Sequence, residues 1–503
     1  MVTQLIGGAS SLRTHIQFLR GQNKVSLSDF HPTMTVLEYL RSIERSKGTK
    51  EGCAEGDCGA CTIAIGRVKN GHLVYQPINA CIHFVGMLDG CQLLTVEDLH
   101  VDGHFHAVQQ AMIEHHGSQC GFCTPGIVMA LFTMFHAGSK PVTKSEIRDW
   151  LAGNLCRCTG YRPIVDAAFE VMQNPANDHF SKHATETVHL LDELNDRMDV
   201  FVGDDEHYFA SPGDLTCLTD MYKDNPDALL VNGATDIGLW VTKQLRSLPA
   251  LIHLGRVLEL TKIELDTGSV TLGAAVTYAD SEKIMAGLDC DLAALWKRIG
   301  AKQVRACGTV GGNIANGSPI GDTPPVLIAL GAEITLRHGA TSRTIPLDEY
   351  FIAYGKQDRK PGELLVSIKI PRPQENQHFR CFKITKRFDQ DISAVMAGFL
   401  IDVSDGVITK ARIAFGGMAA TPTRAHQTEI ALVGARLDAP DSWNAALEKL
   451  EQDFTPLSDM RASAEYRSEI AKNLLLKTLI ELAGNDQVQT RLTGKRVVGH
   501  AAS

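Results

Sequence analysis

The stretch Glu51-Gly52-Cys53-Ala54-Glu55-Gly56-Asp57-Cys58-Gly59-Ala60-Cys61 carries three cysteines and three glycines in eleven residues. It lies in a 503-residue chain with thirteen cysteines, nine of them in the first 158 positions. A disulfide scaffold is small and secreted, whereas clustered cysteines in a chain of this length point to metal ligands. At about 150 residues per domain the length allows roughly three domains. Apolar residues make up 44% and charged residues 21%, which supplies several cores and excludes a disordered or fibrous chain. The 49 basic and 58 acidic side chains leave a net charge of −9. That argues against nucleic acid as a partner, because such a protein replaces phosphate counterions with a basic surface. No apolar run reaches the roughly 18 residues of a membrane helix. Residues 1–11 lack a basic start and a long apolar stretch, so no signal peptide is expected. A cytoplasmic protein, with neither nucleic acid nor membrane as a partner, is the expectation.

Cys53-x4-Cys58-x2-Cys61, followed by Cys81 after nineteen intervening residues, has the spacing of a plant-type 2Fe–2S loop. A two-iron cluster takes four thiolates, two per iron. Three come from one tight loop and the fourth from a distant element that closes the site. Gly52, Gly56 and Gly59 let backbone N–H groups turn toward the sulfurs. Zinc favours paired Cys-x2-Cys knuckles, which this is not. Cys120-x2-Cys123 and Cys156-x-Cys158 make a second foursome. Here a zinc knuckle and an iron–sulfur site both fit. Placement at helix ends, directly after a 2Fe–2S loop, favours a second electron relay. Cys91, Cys217, Cys290, Cys307 and Cys381 lack ligand spacing and are expected as small buried hydrophobes.

Residues 12–92 pattern mostly as strands. His15 to Leu19 and Lys24 to Leu27 flank a hairpin at Gly21-Gln22-Asn23, and Thr62 to Val68 and His72 to Gln76 flank Asn70-Gly71. Thr35 to Ser42 is predicted as a helix. From 93 to 173 the period is helical. Thr124-Pro125 opens one helix that Gly138 ends. Thr143 and Glu146 form a capping box ahead of another, with Gly153 as its C-cap. A third runs from Pro163 to Met172. Residues 174–197 are polar and predicted as a linker. Strands and helices alternate over 198–372. Strands at Phe379 to Thr385, Ser393 to Val403 and Ala411 to Phe415 precede helices over 375–485, and 486–503 is a tail.

The 51–61 string, Gln119-Cys120-Gly121-Phe122-Cys123-Thr124-Pro125-Gly126, and Gly153-Asn154-Leu155-Cys156-Arg157-Cys158-Thr159-Gly160-Tyr161 resemble the molybdenum hydroxylase (xanthine oxidase) family, over about residues 12–485. The resemblance implies an α+β multidomain fold. Its parts are a β-grasp ferredoxin-like 2Fe–2S domain, a helical 2Fe–2S domain, an α+β FAD-binding domain of the carbon monoxide dehydrogenase flavoprotein type, and that flavoprotein's α+β C-terminal domain. It implies that Cys53, Cys58, Cys61 and Cys81 hold one 2Fe–2S cluster and Cys120, Cys123, Cys156 and Cys158 a second, nearer the molybdenum site. Gln119 then approaches the molybdopterin.

Two Gly-rich loops follow the linker: Asn232-Gly233-Ala234-Thr235-Asp236, after the apolar run Leu229 to Val231, and Gly308-Thr309-Val310-Gly311-Gly312-Asn313. Neither fits G-x-G-x-x-G, and no Walker A string is present. Both can offer consecutive backbone N–H groups to a diphosphate, with hydroxyls from Thr235 and Thr309. Taken alone, such loops are more often simple turns. Through the family resemblance, Gly233, Ala234, Thr235, Asp236 and Ile237 with Thr309, Gly311, Gly312 and Asn313 bind the FAD pyrophosphate. Asp322 meets the adenosine ribose, and Lys383 and Leu364 or Leu365 border the flavin. Ile299 stands where animal relatives carry an aromatic, so no aromatic stack on the cofactor is expected there. Tyr354 aligns with a tyrosine near the NAD site of those relatives.

Iron–sulfur clusters carry single electrons, and a flavin collects them into a pair for NAD+. No nucleophile or acid–base dyad is evident. After the flavin half only some 18 residues remain, so the resemblance places the molybdenum centre on a partner large subunit in an α2β2 heterotetramer. Iron–sulfur and flavin modules on one chain favour the branch that oxidises hypoxanthine and xanthine to urate. The alternatives are a family member acting on an aldehyde or N-heterocycle, a stand-alone iron–sulfur flavoprotein, and a zinc-binding scaffold.

Overall fold

A computed structural model describes residues 12–138, 142–173 and 177–484. The N-terminal stretch 1–11 and the expected tail lie outside the described residues. The chain divides into two compact units, Met1–Glu259 with Gly300–Gly308, and Leu260–Ile299 with Thr309–Ser503.

The first unit opens on a five-stranded sheet in the order Asn23–Leu27, Ile16–Arg20, Gln92–Leu94, Thr62–Lys69, His72–Asn79. Arg20 pairs with Asn23 across a two-residue turn, so Asn23 is already strand. Lys69 pairs with His72 across Asn70 (φ 51°) and Gly71 (φ 76°), whose shared left-handed conformation matches the twist of the flanking strands. Successive side chains point to opposite faces. Ile63 and Ile65 enter one core with Ile16, Phe18 and Leu93, while Ala64 and Leu94 enter a second core with the helices. Thr35 caps a single α-turn, Val36–Glu38, that continues as π-helical turns over Tyr39–Ile43, wider than the helix the sequence predicts.

Four helices follow: Ala107–Glu114, Thr124–Ala137, Lys144–Leu151 and Arg162–Gln173. Thr124–Ala137 is buried from Gly126 to Phe135, which is why it is apolar on every face. Its N-cap is Cys123 rather than Thr124, whose hydroxyl is engaged by Ser118 Oγ at 2.7 Å. The Thr143 capping box is present, and the helix it opens is capped by Ala152, one residue before the expected Gly153.

The stretch expected as a linker is helical where described, with His179–Lys182 and Ala184–Leu194. Thr187, Leu191 and Leu194 bury one face of the latter, and Leu191 and Leu194 pack on Leu19. With a threonine in the stripe and charges all round it, the period is too faint to see in the sequence.

Asp178 ties this connection to the four helices. Its Oδ1 accepts the Ser181 N–H at 2.7 Å, and its Oδ2 accepts from Nε2 of His106 (2.8 Å) and His136 (2.9 Å). His106 Nδ1 accepts the Val108 N–H at 3.1 Å, so the imidazole proton sits on Nε2. The trio is thus a hydrogen-bonded carboxylate and not a metal site, which needs a bare Nε2. Burial opposes the Asp178 charge, but the two imidazoles outweigh it and hold the carboxyl well below its usual range. A carboxylate with a lowered folded-state pKa stabilises the protein above its unfolded-state pKa, and that contribution fades as pH falls toward the folded value. Asp178→Ala is therefore expected to melt below the parent at pH 7. The gap should narrow as pH drops below about 4 in thermal unfolding scans.

A second sheet of this unit runs Leu12–Arg13, Asp199–Gly203, Tyr208–Ser211, Ala250–His253, Leu229–Val231. Asp89, 1% exposed at its side chain, anchors it by ion pairs to Arg13 (2.6 Å) and Arg256 (3.2 Å).

The second unit holds an antiparallel sheet in the order Ile263–Leu265, Ser269–Gly273, Leu364–Pro371, Glu333–His338, Thr341–Pro346. It also holds a four-stranded antiparallel sheet, Gln377–Ile384, Val395–Ser404, Val407–Gly416 and Thr423–Arg424. Phe399 and Phe415 of that sheet share a core with Trp443 and with Leu475 of the Ala464–Leu482 helix. The whole is the α+β multidomain architecture expected. No helix among the described residues is long and apolar enough to cross a membrane.

Candidate iron–sulfur and flavin sites

The Thr62–Lys69 and His72–Asn79 hairpin explains why Cys61 and Cys81 meet. Thr62 pairs with Asn79, so the cysteines flank one end of the ladder, and the Ala80 N–H donates to the Cys61 carbonyl at 3.2 Å. The 51–61 loop brings the other two thiols. Cys53 exchanges sulfur hydrogen bonds with Cys58 and Cys81, and Cys81 with Cys61. The backbone N–H groups of Asp57 and Cys58 also aim at Cys53 Sγ, at 3.4 and 3.3 Å. A Cβ on Gly52 would stand 2.7 Å from Cys58 Sγ, so the backbone there hugs the sulfurs. Hydrogen bonds from the Cys58 and Cys81 thiols hold Cys53 well below the usual thiol range, and the same bonds push Cys58 and Cys81 up. Four thiolates brought this close would repel one another unless a cation joined them. The set of four soft donors with inward N–H groups fits a 2Fe–2S centre.

The second foursome is assembled from the N-cap of Thr124–Ala137 and the loop after Lys144–Leu151. Cys123 contacts Cys156, and Cys120 contacts Cys158. Cys156 receives the Thr159 hydroxyl at 3.2 Å, and its N–H donates to the Tyr161 hydroxyl at 2.8 Å. Burial opposes the Cys156 thiolate, but its hydrogen bonds, led by Thr159, keep the thiol lowered. Burial and the Cys156 sulfur push Cys123 up to about 12. Cys120, Cys158 and Gln119 are exposed, unlike the buried Cys61 and Cys81.

In the first unit, the Asn232–Asp236 loop follows the Leu229–Val231 strand and leads into the Ile237–Thr242 helix. A Cβ on Gly233 would stand 2.0 Å from the Cys307 carbonyl, so only glycine lets the loop lie on that backbone. Ala234 takes a left-handed φ of 54°. In the second unit, Thr309 caps the Val310–Asn316 helix, its hydroxyl accepting the Gly312 N–H at 2.9 Å. Gly311 abuts the Ala274 carbonyl, and Asn313 Oδ1 accepts the Thr323 hydroxyl at 2.6 Å. Asp322 and Lys383 are brought together at 2.5 Å, and Asp322 also accepts the Ser393 hydroxyl at 2.5 Å. Leu364, Leu365 and Ile299 are buried, whereas Tyr354 is 76% exposed.

Two of the remaining cysteines depart from the buried reading. Cys290 is exposed at the first residue of its helix, and Cys217 is half-buried and donates to Asp199 Oδ2 at 3.1 Å. Cys91, Cys307 and Cys381 are buried as expected. Sequence reasoning gave no role to Asn154, Gln303 and Ser393. Asn154 lies inside a cysteine motif, but an amide has no ligand spacing to betray it.

Known proteins match three segments of the chain. Residues 95–169 match a [2Fe-2S] binding domain, residues 205–373 the FAD binding domain in molybdopterin dehydrogenase, and residues 380–482 the CO dehydrogenase flavoprotein C-terminal domain. The chain is 30% identical over 521 residues to a xanthine dehydrogenase of Emericella nidulans, covering 91% of this chain and 38% of that protein. It is 32% identical over 488 residues to the xanthine dehydrogenase/oxidase of Mus musculus, covering 87% and 36%. Reconstituted CO dehydrogenase from Oligotropha carboxidovorans superposes with a TM-score of 0.52 at 25% identity, over 56% of this chain and 98% of that one. The chain thus spans well under half the length of the curated relatives it matches. Fold and matched domains together define an electron-transfer component with FAD-binding and [2Fe-2S]-binding domains. The chain belongs to the molybdenum hydroxylase family, as its iron–sulfur and flavin portion.

Proposed function

We propose that the chain is the iron–sulfur/FAD part of a xanthine dehydrogenase. It takes electrons from a molybdenum centre on a partner subunit, passes them through two 2Fe–2S sites to FAD, and delivers them to NAD+. The net reaction is oxidation of hypoxanthine and then xanthine to urate, with water as the oxygen source and NAD+ as the two-electron acceptor. The observation that carries this reading is the match to xanthine dehydrogenases over 87% to 91% of the chain, more than the iron–sulfur or the flavin segments alone could supply.

Bound iron–sulfur centres pass single electrons and a bound flavin pairs them for hydride transfer. The chain's own residues hold those groups. Cys53, Cys58, Cys61 and Cys81 are the ligands of the buried site, at which the Asp57 and Cys58 N–H groups stabilise sulfur charge. Cys120, Cys123, Cys156 and Cys158 are the ligands of the more exposed site, with Gln119 toward the molybdopterin on the partner. Gly233 to Ile237 and Thr309 to Asn313 offer N–H groups to the FAD pyrophosphate. Asp322, held by Lys383 and Ser393, is presented to the ribose, and Leu365 borders the flavin. The corresponding domains are 12–92, 93–173, 198–372 and 375–485, in a cytoplasmic α2β2 assembly.

The test is an anaerobic visible spectrum of the co-purified complex before and after xanthine, with NADH as the control for a working flavin. Bleaching by both is expected. Bleaching by NADH alone would overturn the purine assignment. It would favour a family member with another substrate, a reading supported by the similarity of over half the chain to a CO dehydrogenase.

A further inference from the structure

Nine residues, Gly300–Gly308, return to the first unit, which holds both cysteine loops, although the segments directly on either side form the other unit. Ala306 and Cys307 enter the same core as Cys61 and Cys81, and the Lys302 ammonium lies 4.7 Å from the centre of the Trp150 ring. Between them, the short Lys302–Arg305 helix delivers Gln303, 1% exposed, to a seam between the two cysteine loops.

The seam is polar and closed. Gln303 Nε2 donates to Asn154 Oδ1 at 2.8 Å and to Thr62 Oγ1 at 3.1 Å. Asn154 Nδ2 donates to the Gly59 carbonyl at 3.0 Å and to Thr62 Oγ1 at 3.2 Å. The Thr62 hydroxyl donates to the same Gly59 carbonyl at 2.7 Å. Gly59 sits between Cys58 and Cys61, Thr62 directly follows Cys61, and Asn154 is two residues before Cys156. Beside them the Leu155 N–H donates to the Cys58 carbonyl at 2.9 Å. Asn154 and Thr62 are 2% and 1% exposed, so water does not compete. Gln303 Oε1 has no partner. An orphaned buried carbonyl is costly, so packing alone would favour an apolar side chain there.

We propose that Gln303 and Asn154 are positioning residues that fix the loop of one cysteine foursome against the loop of the other, and so set the rate of electron passage between them. The proposal rests on the reading of both foursomes as 2Fe–2S sites. The segment reaches the same loops from a distant part of the sequence, so its two amide donors hold a spacing that neither loop fixes alone.

Gln303→Met, of similar volume and without a donor, tests it in the assembled holoenzyme. Iron and flavin contents should stay at parent levels. Hydrogen exchange at the Leu155 amide should quicken roughly tenfold, the effect of one lost hydrogen bond. The magnetic splitting between the two dithionite-reduced centres should change, and electron passage between them should slow about tenfold or more. Thr62→Val should move these readouts in the same direction, while Thr62→Ser, which keeps the hydroxyl, should restore them. If Gln303→Met fails to assemble, the Thr62 pair decides. Parent-like exchange, splitting and rate in Gln303→Met, or no difference between Thr62→Val and Thr62→Ser, would overturn the proposal. Dithionite reduction keeps this outcome separate from the purine assignment. A single paramagnetic centre in the parent would instead sink the two-site reading itself.

Discussion

Cys58→Ser is expected to lose one of two reduced-centre EPR signals and about half of the iron, while FAD stays bound. Cys58 Sγ is in hydrogen-bonding contact with Cys53, whose thiol that contact holds below its usual range. A serine oxygen is harder, more basic and shorter in reach, so it leaves one coordination position unfilled at neutral pH. The backbone around it has reason to persist. The Cys58 N–H still meets Cys53, and the Cys58 carbonyl still receives Leu155, since neither bond uses the side chain. Xanthine should then no longer bleach the flavin, whereas NADH should still do so. Electron flow to flavin should fall by about 10- to 100-fold or more. Two intact, distinct EPR signals in this variant would show that Cys58 is not a ligand.

Gly312→Val should give the opposite pattern, with flavin lost and iron retained. Gly312 is exposed, and the one atom near a Cβ built on it is Thr309 Oγ1, at 2.7 Å. A valine displaces that hydroxyl from its cap, at a cost of about 1 kcal/mol, which a folded unit tolerates. It also fills the space a pyrophosphate needs to reach the N–H groups of the loop. Forcing the ligand back by the width of a methyl costs ~1–3 kcal/mol, or about ten- to a hundredfold in FAD affinity. Flavin absorbance per chain and iron per chain, measured on the same sample, separate the two effects. Full flavin occupancy would place the pyrophosphate elsewhere.

Of the two residues varied, Cys58 is picked out by sequence spacing and Gly312 by the family resemblance. Ligands and tight turns demand particular residue types at fixed intervals, so they leave a signature. Cys53, Cys58 and Cys61 show the spacing directly. Asn70-Gly71 and the Thr143 box do so for local structure, and the structure holds both. Where a residue has two possible roles, the sequence misjudges it. Thr124 looks like a cap until Ser118 takes its hydroxyl. The 174–197 stretch looks like a linker because its helical stripe is a threonine and two leucines amid charges.

The sequence by itself determined which cysteines form foursomes, the order of the modules, and the resemblance that names their cofactors, because covalent spacing and turn chemistry are local. Only the tertiary structure decided how Cys81 closes onto the 51–61 loop, through the hairpin register, and that Asp322 is gripped by Lys383 and Ser393. It alone decided that Gln303 crosses 149 positions to bond Asn154. Such contacts arise when two segments bury their polar groups against each other, and burial partners are set by the packing of the whole unit.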